Sequence, residues 1–151
     1  MKYITFAVPC YNSQEYMRKC VDSLLKGGED VEIVIVNDGS KDETIHIANE
    51  YKEKFPTIIR VVDKENGGHG SGVNAGLKLA TGLYYKVVDS DDWADEEALK
   101  KLLATMKKHA EAKSSPDLYV VNYVYEHVAD NTRHYSRYDK KFPTEKFCSW
   151  N

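Results

Sequence analysis

Four short, almost continuously apolar runs, at residues 3–8, 32–36, 58–62 and 84–88, alternate along this chain with segments whose apolar residues recur at helical spacing. A strand exposed on one face alternates apolar with polar residues, whereas a strand covered on both faces stays apolar throughout. Strand, helix and strand repeated in this order is the pattern of an α/β domain with a mainly parallel sheet. A fifth strand is expected at 118–125. The helical segments carry clear stripes: Met17, Cys20, Val21 and Leu24 fall at i, i+3, i+4 and i+7, as do Thr44, Ile47, Ala48 and Tyr51. Leu99, Leu102, Leu103 and Met106 form a further stripe, and each is expected to face the core. Helix starts are read from Asn12 with Glu15 and from Ser40 with Glu43, which have capping-box spacing. Asp95, Glu96 and Glu97 open the helix after residue 94, and Lys107, Lys108 and Lys113 lie near its end, which complements the helix dipole.

With 151 residues, 42% of them hydrophobic, the chain is long enough for one well-buried domain. Its net charge of −3, with Lys and Glu interspersed, offers no basic field, so no nucleic acid is expected as a partner. Cys10, Cys20 and Cys148 are odd in number, widely spaced and without paired His at metal-ligand intervals. That argues against a disulfide framework or structural zinc and for a reducing, cytoplasmic location. No apolar run reaches the length of a membrane span, so attachment to the cytoplasmic face of a membrane would come through partners or further sequence. The composition changes at residue 126: residues 1–125 are expected to form the ligand-binding domain, and 126–151 a polar tail with no strand or helix pattern of its own.

In a parallel sheet the ligand site lies outside the carboxyl ends of the strands. The loops there are Pro9-Cys10-Tyr11-Asn12, Asn37-Asp38-Gly39-Ser40, Asn66-Gly67-Gly68-His69-Gly70-Ser71-Gly72 and Asp89-Ser90-Asp91-Asp92. Asp89, Asp91 and Asp92 repel one another, and a cluster of this kind suits a hard divalent cation shared with substrate phosphates. Tyr11 offers a π-face to a base, and Asp38 an acceptor for its N–H edge. Glycines around Gly68, just before the third helix, leave backbone N–H groups open to a diphosphate. Together the four loops provide for a nucleoside diphosphate. Gly70-Ser71-Gly72-Val73-Asn74-Ala75 also matches the dinucleotide fingerprint, but that motif belongs to the first strand-to-helix turn, where this chain has no glycine. A nucleotidyltransferase would likewise place a glycine-rich basic loop there, and no P-loop sequence is present.

Val8-Pro9-Cys10-Tyr11-Asn12, Val36-Asn37-Asp38-Gly39-Ser40, Glu65-Asn66-Gly67-Gly68, Asn74-Ala75-Gly76, Ala80-Thr81-Gly82 and Asp89-Ser90-Asp91-Asp92 occur in the order and approximate spacing of one family. As a set they resemble the family-2 nucleotide-sugar glycosyltransferases. The resemblance implies a three-layer, Rossmann-like GT-A fold. It implies that Pro9, Tyr11 and Asp38 line the base and ribose pocket, most often for uridine. It implies a D-x-D-type site at Asp89 and Asp91, with Asp92 as a further candidate, holding Mg²⁺ or Mn²⁺ against the diphosphate. The expected activity is sugar transfer with inversion from a UDP-sugar to a saccharide, lipid-linked or other hydroxyl acceptor. The family's carboxylate base normally lies well beyond the D-x-D motif. This chain ends about 60 residues after Asp91, and none of Asp130, Asp139 or Glu145 stands out for that role. The expectation is therefore a truncated, donor-binding part of a transferase, with its catalytic base unassigned. The alternative is a non-catalytic nucleotide-sugar-binding module, and an exposed edge near 118–125 could support a homodimer.

Overall fold

The computed structural model describes residues 1–127, 130–142 and 148. They divide into two units, Met1–Lys108 and His109–Asn151. The first contains β1 (Ile4–Cys10), α1 (Met17–Leu25), β2 (Val31–Asp38), α2 (Thr44–Lys54), β3 (Ile59–Lys64), α3 (His69–Leu79), β4 (Tyr84–Val87) and most of α4 (Glu96–Glu111). The second holds an antiparallel pair, β5 (Tyr123–His127) and β6 (Thr132–Ser136). No helix among the described residues is long and apolar enough to cross a membrane.

The four strands of the first unit are parallel, in the order β3-β2-β1-β4. Central β1 and β2 are buried at every position, as their unbroken apolar runs require, while the edge strands β3 and β4 are partly exposed. Helix α3 lies on the face that carries Ala7 and Pro9. A Cβ on Gly76 would come within 2.6 Å of Ala7 Cβ, and one on Gly72 within 3.1 Å of Pro9 Cβ. These two glycines let helix and sheet approach closely. Side-chain alternation sends Phe6, Val8 and Cys10 to the opposite face, where Cys20 of α1 lies near Cys10. Helices thus cover both faces, and the three-layer α/β architecture expected from the sequence is the one observed.

The amino-terminal end of the sheet is closed by a buried carboxylate. Glu32 Oε2 accepts from Thr5 Oγ1 at 2.7 Å and from Thr81 N–H at 2.8 Å, and Arg60 Nη1 lies 3.5 Å from Oε1 while donating to the Leu79 carbonyl at 2.7 Å. Burial raises the Glu32 carboxyl, but the Thr5, Thr81 and Arg60 donors outweigh it and hold the group below its usual range. This network joins β1, β2 and β3 to the α3–β4 turn and leaves the opposite end of the sheet for the loops.

The helical stripes are buried as expected at Met17, Cys20, Val21 and Leu24, at Thr44, Ile47, Ala48 and Tyr51, and at Leu99, Leu103 and Met106, whereas Leu102, expected in the last stripe, is only half-buried. The expected capping boxes do not form. Helix α1 starts at Met17 and α2 at Thr44, each without a side-chain cap. The polar side chains are used instead to join the first two loops. Asn12 Oδ1 accepts from Lys41 N–H at 2.9 Å, Ser40 Oγ from Asn12 N–H at 3.0 Å, and Gln14 Oε1 from Glu43 N–H at 3.0 Å. Asn12 itself adopts φ 50°. Asp95 does behave as a cap, its Oδ1 accepting Ala98 N–H at 2.8 Å at the start of α4.

The strand expected at 118–125 is shifted to Tyr123–His127, and it pairs with β6 rather than extending the parallel sheet. Strand β6 falls in the tail where none was expected. All of β5 and most of β6 are exposed, so no one-sided burial imposes the alternation by which a strand is recognised. Asp130 Oδ1 holds the turn into β6 by accepting from Thr132 N–H at 3.1 Å and Thr132 Oγ1 at 2.7 Å.

Candidate functional site

The chain leaves β1 towards β2 through α1 and returns to the other side of β1 through α3 and β4. The connections therefore diverge at the carboxyl ends of β1 and β4, where open α/β sheets form a crevice. The four loops singled out from the sequence all lie at this end.

Pro9, the penultimate residue of β1, is buried beneath α3, with Gly72 against its ring. Tyr11 follows the strand with 53% of its surface exposed, and its N–H donates to Ser13 Oγ at 3.1 Å. Burial pushes the neighbouring Cys10 thiol up to about 12, which makes it a packing group rather than a nucleophile.

Asp38 ends β2 and is only 4% exposed. In the parallel register its neighbour on β3 is Lys64, whose ammonium donates both to Asp38 Oδ1 and to the Glu65 carbonyl. Asp38 Oδ1 also accepts Gly67 N–H at 3.0 Å, and the Asp38 carbonyl accepts from Asn66 Nδ2 at 3.0 Å. Lys64 above all, then the N–H groups of Gly67 and Gly68, hold the Asp38 carboxyl below the usual carboxylate range. The loop after β2 and the glycine loop are thereby one assembly organised on an ionised carboxylate.

Gly68 precedes α3 with φ 81° and ψ 168°, a conformation almost confined to glycine. Its carbonyl accepts the N–H groups of Ser71 at 3.0 Å and Gly72 at 3.2 Å, which starts the helix. His69, the first residue of α3, is exposed and places Nε2 3.7 Å from Asp89 Oδ1. That contact brings the glycine loop to the aspartate loop.

The aspartate loop is anchored from outside its own strand. Asp89 O accepts Asp92 N–H at 2.9 Å and the Cys20 thiol at 3.6 Å. Ser90 Oγ lies 2.9 Å from Ser13 Oγ, Ala94 N–H donates to Ser23 Oγ at 3.0 Å, and Lys19 Nζ sits 2.9 Å from the Trp93 ring centroid. Asp89, Asp91 and Asp92 remain exposed. Partial burial above all, and then the charges of Asp91 and Asp89, push the Asp92 carboxyl up. Among the described residues no three His, Cys, Asp or Glu side chains converge as a cage built of protein ligands alone would need. The donor set is instead one of solvent-facing carboxylate oxygens. That fits Mg²⁺ or Mn²⁺ held by one or two carboxylates with phosphate oxygens completing the shell.

Sequence reasoning assigned no role to Lys64, Ser13 or Ser90. Lys64 was within reach of it, because aligning the carboxyl ends of β2 and β3 sets a basic residue beside Asp38. Ser13 and Ser90 are 77 positions apart and carry no local signal. In the second unit, Asp139 is bound by Arg137 through Nε at 3.1 Å and Nη2 at 2.7 Å, which together with the Asp130–Thr132 turn leaves both carboxyls below their usual range. Glu145 lies outside the described residues.

Residues 5–150 match the family model described as Glycosyl transferase family 2. Glycosyltransferase GlyA of Streptococcus pneumoniae is 39% identical over 121 residues, 80% of this chain and 16% of GlyA. The poly(ribitol-phosphate) beta-glucosyltransferase of Bacillus spizizenii is 39% identical over 100 residues, 64% of this chain and 16% of that protein. Among solved structures, S. aureus TarS 1-349 in complex with UDP-GlcNAc matches with a TM-score of 0.62 and 36% identity over 73% of this chain and 32% of that one. The chain therefore spans a third or less of the length of these relatives. A family match running through almost every described residue, on an α/β fold shared with TarS, establishes that this chain belongs to glycosyl transferase family 2.

Proposed function

We propose that this chain carries the donor site of a metal-dependent, inverting glycosyltransferase that uses a UDP-sugar. The observation that carries this reading is the meeting of the strand-end loops: Asp38 Oδ1 accepts Gly67 N–H at 3.0 Å, Ser13 Oγ lies 2.9 Å from Ser90 Oγ, and the exposed His69 ring lies 3.7 Å from Asp89 Oδ1. A ligand with a base at one end and a diphosphate at the other matches that span of chemistry. TarS, at 36% identity, takes UDP-GlcNAc, which supports uridine as the base.

In this reading Tyr11 stacks on the base with Pro9 beneath the pocket, and Asp38 accepts from the base's N–H edge while its carboxylate also orders the loops around it. Gly68 and the first N–H groups of α3 face the diphosphate. Asp91 and Asp89, with Asp92 beside them, would hold Mg²⁺ or Mn²⁺, which would supply neutralisation of the charge that grows on the leaving diphosphate. The acceptor oxygen attacks the anomeric carbon from the face opposite the diphosphate. The bond to the diphosphate breaks with its electron pair, and the hydroxyl proton passes to a carboxylate base. The donor site lies within residues 1–108, inside the span 1–125 assigned to nucleotide-sugar binding, and 126–151 is proposed as the start of the acceptor-side region.

Isothermal titration with UDP and with GDP, each with Mn²⁺ and with EDTA, tests the proposal. Manganese-dependent binding that prefers UDP is expected, and binding of neither nucleotide would overturn it. UDP binding without release of sugar from any UDP-sugar would favour a non-catalytic nucleotide-sugar-binding module.

A further inference from the structure

Ser13 is 3% exposed, and its hydroxyl lies where the loop after β1 meets the loop after β4. Its Oγ accepts Tyr11 N–H at 3.1 Å and lies 2.9 Å from Ser90 Oγ. Its own backbone is fixed on two sides. Ser13 N–H donates to Thr44 Oγ1 at 2.8 Å, and its carbonyl accepts the N–H groups of Tyr16 and Met17, each at 3.0 Å. The hydroxyl is thus held by the entries to α1 and α2, and it reaches one loop through a backbone N–H and the other through a side chain. Ser90 stands between Asp89 and Asp91, so what Ser13 grips is the middle of the carboxylate cluster.

We infer that Ser13 is a positioning residue of the donor site, whose hydroxyl sets the separation between Tyr11 and the aspartate loop before any nucleotide arrives. The inference rests on the donor-site reading above. A nucleoside diphosphate must engage both loops at once, so any freedom between them is lost on binding and weakens affinity. A nucleoside engages the loops after β1 and β2 but not the aspartate loop, and for it the spacing is immaterial. The 2.9 Å contact therefore has a consequence that depends on the length of the ligand.

The test is calorimetric titration of the wild-type protein, Ser90→Ala, Ser13→Ala and the double variant with UDP plus Mn²⁺ and, separately, with uridine. Ser90→Ala is expected to weaken UDP by roughly fivefold, the effect of one hydrogen bond, and Ser13→Ala, which also frees Tyr11 N–H, by at least as much. The double variant should be no weaker than Ser13→Ala, because Ser13→Ala already removes the contact that Ser90→Ala removes, while uridine affinity in Ser90→Ala stays within about twofold of wild type. Ser90→Ala leaves the bond from Tyr11 N–H intact and decides the question if Ser13→Ala does not fold. UDP affinity unchanged in Ser90→Ala overturns the inference and leaves the donor site standing, as does an equal loss for UDP and uridine. A wild-type protein that binds no UDP overturns the donor-site reading, and this inference with it.

Discussion

Lys64 and Asp38 give the sharpest test of how the site is organised. Asp38 is 4% exposed, and the Lys64 side chain beside it is 24% exposed. Lys64→Met keeps the aliphatic stem but leaves the Asp38 carboxylate with only the backbone donors of Gly67 and Gly68. Breaking a buried ion pair by removing one partner costs about 3–5 kcal/mol. Water reaches the Lys64 ammonium, which brings the figure down to about 2–3 kcal/mol. For a chain of this size that lowers Tm by about 4–12 °C. Asp38→Asn with Lys64→Met strands no charge, and its cost falls to about 1 kcal/mol. The assay is thermal and urea unfolding followed by far-UV circular dichroism on both single variants and the double. A double variant more stable than Lys64→Met is expected. Single costs that simply add, or a Tm for Lys64→Met within about 2 °C of wild type, would refute the claim that Lys64 compensates a buried charge.

Tyr11→Ala should weaken uridine binding by about 1–3 kcal/mol, the usual worth of a base stacked on an aromatic ring. Because Tyr11 is half exposed, its unfolding midpoint should barely move. Asp91→Ala should abolish manganese-dependent UDP binding and leave the fold intact, since it relieves repulsion with Asp92; titration with and without EDTA, beside a melting curve, checks both halves. Glu32 has a depressed carboxyl, so its contribution to stability is present above its unfolded value of about pH 4.3 and is lost as pH falls through the lower folded one. Glu32→Gln should therefore cost about 1–3 kcal/mol at neutral pH and much less at about pH 3, and equal urea-midpoint losses at both would count against the network.

The parallel sheet was legible in the sequence because β1 and β2 are covered on both faces, which demands an unbroken apolar run. The stripes Met17-Cys20-Val21-Leu24 and Thr44-Ile47-Ala48-Tyr51 were legible for a related reason, each helix burying a single face. The start of α4 at Asp95 was legible too, but those of α1 and α2 were not. Asn12 and Ser40 have the chemistry of caps, but they bond to each other's loops, and sequence spacing cannot distinguish a local partner from one 28 or 29 residues away. β6 escaped notice because Thr132, Arg133, His134 and Tyr135 are all exposed, so nothing selects alternation. In the site, the placement of Tyr11, Asp38, Gly68 and the three aspartates at one sheet end followed from topology alone. Lys64 could be found by aligning the carboxyl ends of β2 and β3, whereas the role of Ser13 depends on loop packing, which appears only once the chain is folded.

The central claim is that the loops after β1 to β4 form one site for a nucleoside diphosphate and a divalent cation. Two-dimensional ¹H–¹⁵N spectra of the labelled chain, titrated with UDP and then with trace Mn²⁺, test it most directly. The account predicts that UDP shifts the amides of Tyr11, Asp38, Gly68 and Asp89 together. It also predicts that Mn²⁺ added with UDP broadens the amides from Asp89 to Asp92 and that of His69, while sparing Thr5 and Gly82 at the far end of the sheet. Shifts confined to one loop, or broadening centred on surface acids such as Glu96 and Glu97, would contradict it.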